Sequence, residues 1–162
     1  MDINAFVLDT LKTYKNNKRK IEQLKFELGN PPKLSDDEVI SALSLGSSLS
    51  QLSSFTGSHV SDRTMAIAMK YRDTGERLMS EAIAQITREL SDLETEVTRL
   101  EHYLSLLPEK HSTVIRLYYF EGMQNTQIAD KLGITSPTVV NRKNAGVKEL
   151  TSMYQFLFSV KD

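Results

Sequence analysis

Nine apolar side chains, Met79, Ile83, Ile86, Leu90, Leu93, Val97, Leu100, Leu104 and Leu107, follow one another at spacings that alternate between four and three. A mean repeat of 3.5 residues puts all of them on one stripe of an α-helix. A stripe of that length must be covered by another helix, because an apolar seam left in water would defeat the fold. Backward, Met65 and Met69 keep the register, whereas Arg72 and Glu76 interrupt it. Ser61-Asp62 can cap the start, so the spacing predicts a long coiled-coil-like helix over 62–107.

The cover can come from the same chain. In residues 1–30, Val7, Tyr14, Ile21 and Leu28 recur every seven residues, with Leu11 and Leu24 filling the seam. Gly29-Asn30-Pro31-Pro32 then ends this N-terminal helix, since Gly suits a C-cap and Pro cannot continue a helix. Two arrangements remain open, singly or together. The first helix can fold back as a helical hairpin, or the long helix can pair with its copy in a second chain. A homodimer through the heptad helix is the favoured expectation.

Residues 31–61 hold a capping-box pattern, Ser35-Asp36-Asp37-Glu38, and then a Ser-rich linker. Nine of the residues from Ser41 to Ser61 are Ser, so the stretch has little to bury. Pro108 closes the long helix or opens the next. Val114, Ile115, Leu117, Tyr118 and Phe120 mark a buried helix that Glu121-Gly122-Met123 stops. Further helices are expected from Asn125 to Leu132 and from Ser136 to Leu150, with an apolar tail (Met153, Tyr154, Phe156, Leu157, Phe158) that should pack back. No strand pattern occurs, so the class is all-α: long heptad-bearing helices, as coiled coil or helical hairpin, followed by a C-terminal helix-turn-helix domain over 108–162.

Composition excludes several classes. The absence of Cys removes disulfides and thiolate metal sites. His59, His102 and His111 are scattered, without metal-ligand spacing, and no Gly-rich phosphate loop occurs. No enzyme, metal or cofactor is expected. No apolar run is long enough for a membrane span and no signal-peptide core opens the chain, so the default location is cytoplasmic. The net charge of −1 gives no global attraction to nucleic acid, so that function must rest on a motif.

The motif lies in Asn125–Arg142. Ile128 and Leu132 bury one face of a short helix, and Ala129 is small where two helices must cross. Gly133 stands where a turn needs positive φ, Ile134 plugs the turn, and Val139 anchors a second helix. Thr135 or Ser136 can cap that second helix, with Pro137 in its first turn. Placing Val139, Lys143, Gly146 and Leu150 inward turns Pro137, Thr138, Asn141, Asn144, Ala145 and Lys148 outward, with Arg142 on the flank. Short amides and hydroxyls are poor helix formers. They suit a major groove, where Asn pairs with adenine, Arg with guanine, and Thr or Ala meets a thymine methyl. The candidate DNA-binding residues are Gln127, Ser136, Thr138, Asn141, Arg142, Asn144, Ala145 and Lys148, the last suited to phosphate.

The run Leu107-Pro108-Glu109-Lys110, Val114 to Met123, Gln127-Ile128-Ala129, Leu132-Gly133-Ile134 and Thr138-Val139 resembles region four of RNA polymerase sigma factors. The arrangement before it is more loosely similar to small phage and prophage late-operon regulators of the ArpU and RinA type. The resemblance implies double-stranded DNA as partner and RNA polymerase as a further one. Gln124 and Gln127 stand where the family usually has Ser and Glu, Asn141 where it often has Arg or Lys, and Gly146 where it often has Ala. Mid-helix, Gly146 costs roughly 1 kcal/mol relative to Ala, so close approach of another backbone is expected there.

Three functions follow. The leading one is a sequence-specific transcription regulator of phage or mobile-element origin. A phage DNA-packaging subunit of the small-terminase kind, or a polymerase- or protein-interaction module, would use the same parts. In the basic run Lys12, Lys15, Lys18, Arg19, Lys20 and Lys25, either Lys15, Lys18, Arg19 and Lys20 meet phosphate or, the favoured reading, such residues form a solvated helix face or pair with acids of the long helix.

Overall fold

A computed structural model describes residues 2–31, 33–45 and 60–160, and all regular structure among them is helical. Helix α1 is Ile3–Gly29, α2 is Asp36–Leu45 and α3 is Val60–Leu106. Helix α4, Glu109–Ile115, runs into a π-helical turn at Arg116–Phe120. Helices α5 (Asn125–Leu132) and α6 (Ser136–Ser159) complete the chain. Most of the Ser-rich linker, 46–59, lies outside the described residues. No described helix is long and apolar enough to cross a membrane.

The chain divides into two compact units, Leu24–Leu90 and the combination of Met1–Gln23 with Ser91–Asp162. In the first of these, Ser35 and Glu38 close the expected capping box. The Glu38 carboxylate accepts from the Ser35 backbone N–H at 2.8 Å, and Ser35 Oγ accepts from the Glu38 N–H at 3.3 Å. The box pulls the Glu38 carboxyl below its ordinary range. Val39 is buried beside Gly75 of α3, and the Tyr71 hydroxyl donates to the Asp36 carboxylate. Arg72 and Glu76, which break the heptad register, pair with each other at 3.6 Å on the exposed surface. The heptad-register side chains Met65, Met69 and Ile83 are exposed.

The other unit holds the larger core. Leu100 and Leu104 of α3, and Leu107 just past its end, close the seam, and they pack with Val7 and Leu11 of α1, Ile115 of α4, and Val147, Leu150 and Tyr154 of α6. The end of the seam is therefore covered within one chain, by α1 together with α4 and α6. Each such fully buried side chain contributes on the order of 1.5–3 kcal/mol. Polar pairs fix the register of the hairpin. The Tyr14 hydroxyl donates to the Glu101 carboxylate, which also meets Lys18 Nζ at 3.4 Å. Burial, reinforced by that bond, pushes the Tyr14 hydroxyl up to about 12.

The π turn was not legible in the sequence. The Glu121 N–H reaches back to the Arg116 carbonyl at 3.1 Å, a five-residue span. The extra residue splits the aromatic run between two cores. Tyr118 packs on a second cluster built from Val114, Leu117, Ile128, Ala129 and Val139, while Tyr119 and Phe120 pack on the larger core. Phe120 stacks on Tyr14 with ring centroids 3.7 Å apart. The apolar tail is not a separate segment. It continues α6 to Ser159, burying Tyr154 and leaving Phe156 exposed.

Candidate nucleic-acid interface

The turn between α5 and α6 is built from residues whose chemistry demands it. Gly133 ends α5 at φ 65° and ψ 35°, in the left-handed region where a Cβ is unfavourable. The Ile134 N–H then bonds the Ala129 carbonyl at 3.0 Å, closing a Schellman-type cap, and Ile134 packs against the small cluster. Thr135 adopts an extended conformation and starts α6. Its hydroxyl oxygen accepts from the Thr138 N–H at 3.4 Å, with Ser136 and Pro137 as the first helical residues. Thr135, rather than Ser136, is the cap.

At the start of α5, the Gln127 side-chain oxygen accepts from the Gln124 N–H at 2.8 Å. A glutamine pair thus forms the capping arrangement expected of Ser and Glu. Gln127 is exposed, but its carbonyl oxygen is held by the backbone, leaving the amide nitrogen as its outward donor.

Helix α6 presents two faces. Val139, Gly146, Val147, Leu150 and Tyr154 are buried. Pro137, Asn141, Asn144 and Lys148 are exposed, while Ser136, Thr138, Arg142 and Ala145 are half-buried at the edges. Asn141, Arg142 and Asn144 make no side-chain hydrogen bond or ion pair among the described residues, so their donors and acceptors are available to a ligand. Thr138 differs, because its hydroxyl lies 2.8 Å from that of Thr135, which leaves its methyl group for apolar contact.

Lys143 points inward as its position requires, yet keeps its charge satisfied. Its Nζ sits 3.6 Å from the centroid of the Tyr118 ring and 3.5 Å from Asn125 Oδ1. The inward position of Lys143 follows from helical spacing, whereas its supports Tyr118 and Asn125 lie 25 and 18 residues away in the chain and are not marked by any local pattern. Where close approach was expected at Gly146, the neighbours are side chains rather than backbone. A Cβ there would stand 2.6 Å from Ile115 Cδ1 and 3.2 Å from His111 Cβ. His111 Nδ1 in turn meets Glu149 Oε1 at 2.7 Å, a second tie between α4 and α6.

The far half of α6 is flanked. Asn144, Val147, Lys148 and Thr151 share a groove of about 340 Å³ with Asn4 and Leu8 of α1 and with Tyr119. The polar positions from Ser136 to Asn141 lie clear of this groove, Asn144 enters it, and Lys148 stands at its rim.

A short helix and a longer one joined by a tight glycine turn, the second capped and carrying an unpaired polar face, form a helix-turn-helix of the DNA-binding class. Residues 98–150 match the family model described as Sigma-70, region 4. The match opens within α3 just before Leu100 and Leu104, so it takes in the part of the long helix that shares the core with α6. The C-terminal part of the chain is thus a sigma region 4-like helix-turn-helix. No curated protein and no solved structure matches the chain.

Proposed function

We propose that this protein is a sequence-specific DNA-binding transcription regulator that lays the start of α6 in the major groove. The observation that carries the reading is the unpaired polar edge Asn141, Arg142 and Asn144 on a helix whose other side is buried. Asn and Arg are the side chains best suited to read adenine and guanine edges, and neither is spent inside the chain. Thr138 and Ala145 add methyl contacts, and Lys148 a phosphate contact. The chain is read as a binding protein with no chemistry of its own, working in the cytoplasm.

The resemblance to small phage and prophage late-operon regulators supports a phage or mobile-element origin, with RNA polymerase as a second partner. A homodimer through α3 is supported by heptad-register Met65, Met69 and Ile83, which are exposed on the single chain. It would set two reading helices on two half-sites. Selection of duplex DNA from a random pool tests the reading. A single recovered motif is the expected result, two-fold symmetric if the dimer is right. Recovery at background level would move the helix-turn-helix to a role in protein interaction.

A further inference from the structure

The basic residues of α1 do not share one fate. Lys18 is drawn to Glu101, and Lys20 and Lys25 are also engaged. Lys12, Lys15 and Arg19 are exposed and form no ion pair among the described residues. At helical spacing these three share one face of α1 with Asn4 and Leu8. That face is the one that borders the reading helix, because Asn4 and Leu8 line the groove with Asn144 and Lys148. Thr151 Oγ1 donates to Asn4 Oδ1 at 3.5 Å and adds a polar tie between the two helices. Asp9 stands at the edge of this face, roughly 60° from Lys12, and Glu22, at the helical angle of Asn4, bounds it one turn beyond Arg19.

We propose that Lys12, Lys15 and Arg19 form a phosphate track that extends the DNA contact from the rim at Lys148 along α1. The inference rests on the reading of α6 as a DNA-binding helix. From Lys12 to Arg19 the helix rises about 10 Å. One strand of B-DNA presents a phosphate per roughly 3.4 Å of axis, so three cations in that length match a short run of backbone. Such contacts position the protein and carry no sequence information. They add affinity that salt removes.

The test is a salt titration of binding to the duplex selected by the wild-type chain, with Lys12→Ala, Lys15→Ala and Arg19→Ala combined. A second triple variant, Lys33→Ala, Arg77→Ala and Arg88→Ala, removes equal charge elsewhere. The expected result for the α1 variant is a log–log salt slope shallower by roughly 2–3 per bound protomer, with affinity lower by at least about one order of magnitude. Its preferred sequence stays that of wild type, and the second variant keeps the wild-type slope. An unchanged slope in the α1 variant, with its helical content intact by circular dichroism, overturns the track and leaves the reading of α6 standing. Equal loss in both variants also overturns it, because net charge would then be the cause. If the slope falls as expected but Arg142→Ala keeps the wild-type preference, the track stands and the base-reading assignment fails. No duplex binding by wild type overturns both.

Discussion

Ile115 Cδ1 occupies the space that a Cβ on Gly146 would need, leaving only 2.6 Å between them. Ile115 is fully buried in the large core, so it has little freedom to move aside. The glycine is what lets α4 and α6 approach closely beneath the polar face of α6.

Gly146→Ala therefore sets two effects against each other. Helix propensity gains roughly 1 kcal/mol, and overpacking loses about 1–3 kcal/mol. The expected net is destabilisation of about 1 kcal/mol in a denaturant melt. Adding Ile115→Val removes the obstructing methyl, so the double variant should be more stable than the sum of the singles. Strict additivity would show that the contact does not govern the crossing.

Tyr154 carries a different tension. Its ring sits among Phe6, Tyr103 and Phe158, yet among the described residues its buried hydroxyl has no hydrogen-bond partner. A buried polar group without a partner costs about 1–3 kcal/mol. Tyr154→Phe should thus stabilise the fold, raising Tm by roughly 2–4 °C per kcal/mol gained for a chain of this size. A clear fall in Tm would mean that the hydroxyl is bonded in solution.

The hairpin should be sensitive to pH at both ends. Tyr14 and Tyr154 are each pushed up to about 12, chiefly by burial, from an ordinary value of 10.0. Between those values the folded state holds more protons than the unfolded one, so stability falls as pH rises from 10 towards 12. Glu101 moves the other way, held below the usual carboxylate range mainly by the Tyr14 hydroxyl. Its contribution is present above that range and is lost as pH falls through its lowered value. Tyr14→Phe should flatten the alkaline loss in part and shrink the acid-side loss, read as ΔG of unfolding against pH. Superimposable profiles for wild type and variant would remove Tyr14–Glu101 as a stabilising pair.

Periodicity made the helices of this chain readable. The heptad seam specified a long helix, and the short pattern around Ala129, Gly133 and Val139 specified the helix-turn-helix because each position is sterically demanding. The outward set on α6 followed from a helical wheel and matches the exposed and edge positions observed. What escaped the sequence depends on contacts far apart along the chain. The π turn at Arg116–Phe120 exists because Tyr118 and Phe120 serve different cores, which no local pattern encodes. The sharing of one core by Val7, Leu11 and Leu150 required knowing that α1 folds onto the end of α3 and α6. The place of Lys143 over the Tyr118 ring likewise joins residues far apart along the chain.

Base reading by α6 is best tested by measuring the affinity of wild type, Asn141→Ala and Arg142→Ala for the selected duplex and for every single-base variant of it. Each substitution should cost roughly 1–3 kcal/mol on the selected duplex and abolish discrimination at one or two base pairs, leaving preferences elsewhere intact. Wild-type affinity with an unchanged base profile in both variants would contradict the assignment of this face as the reader.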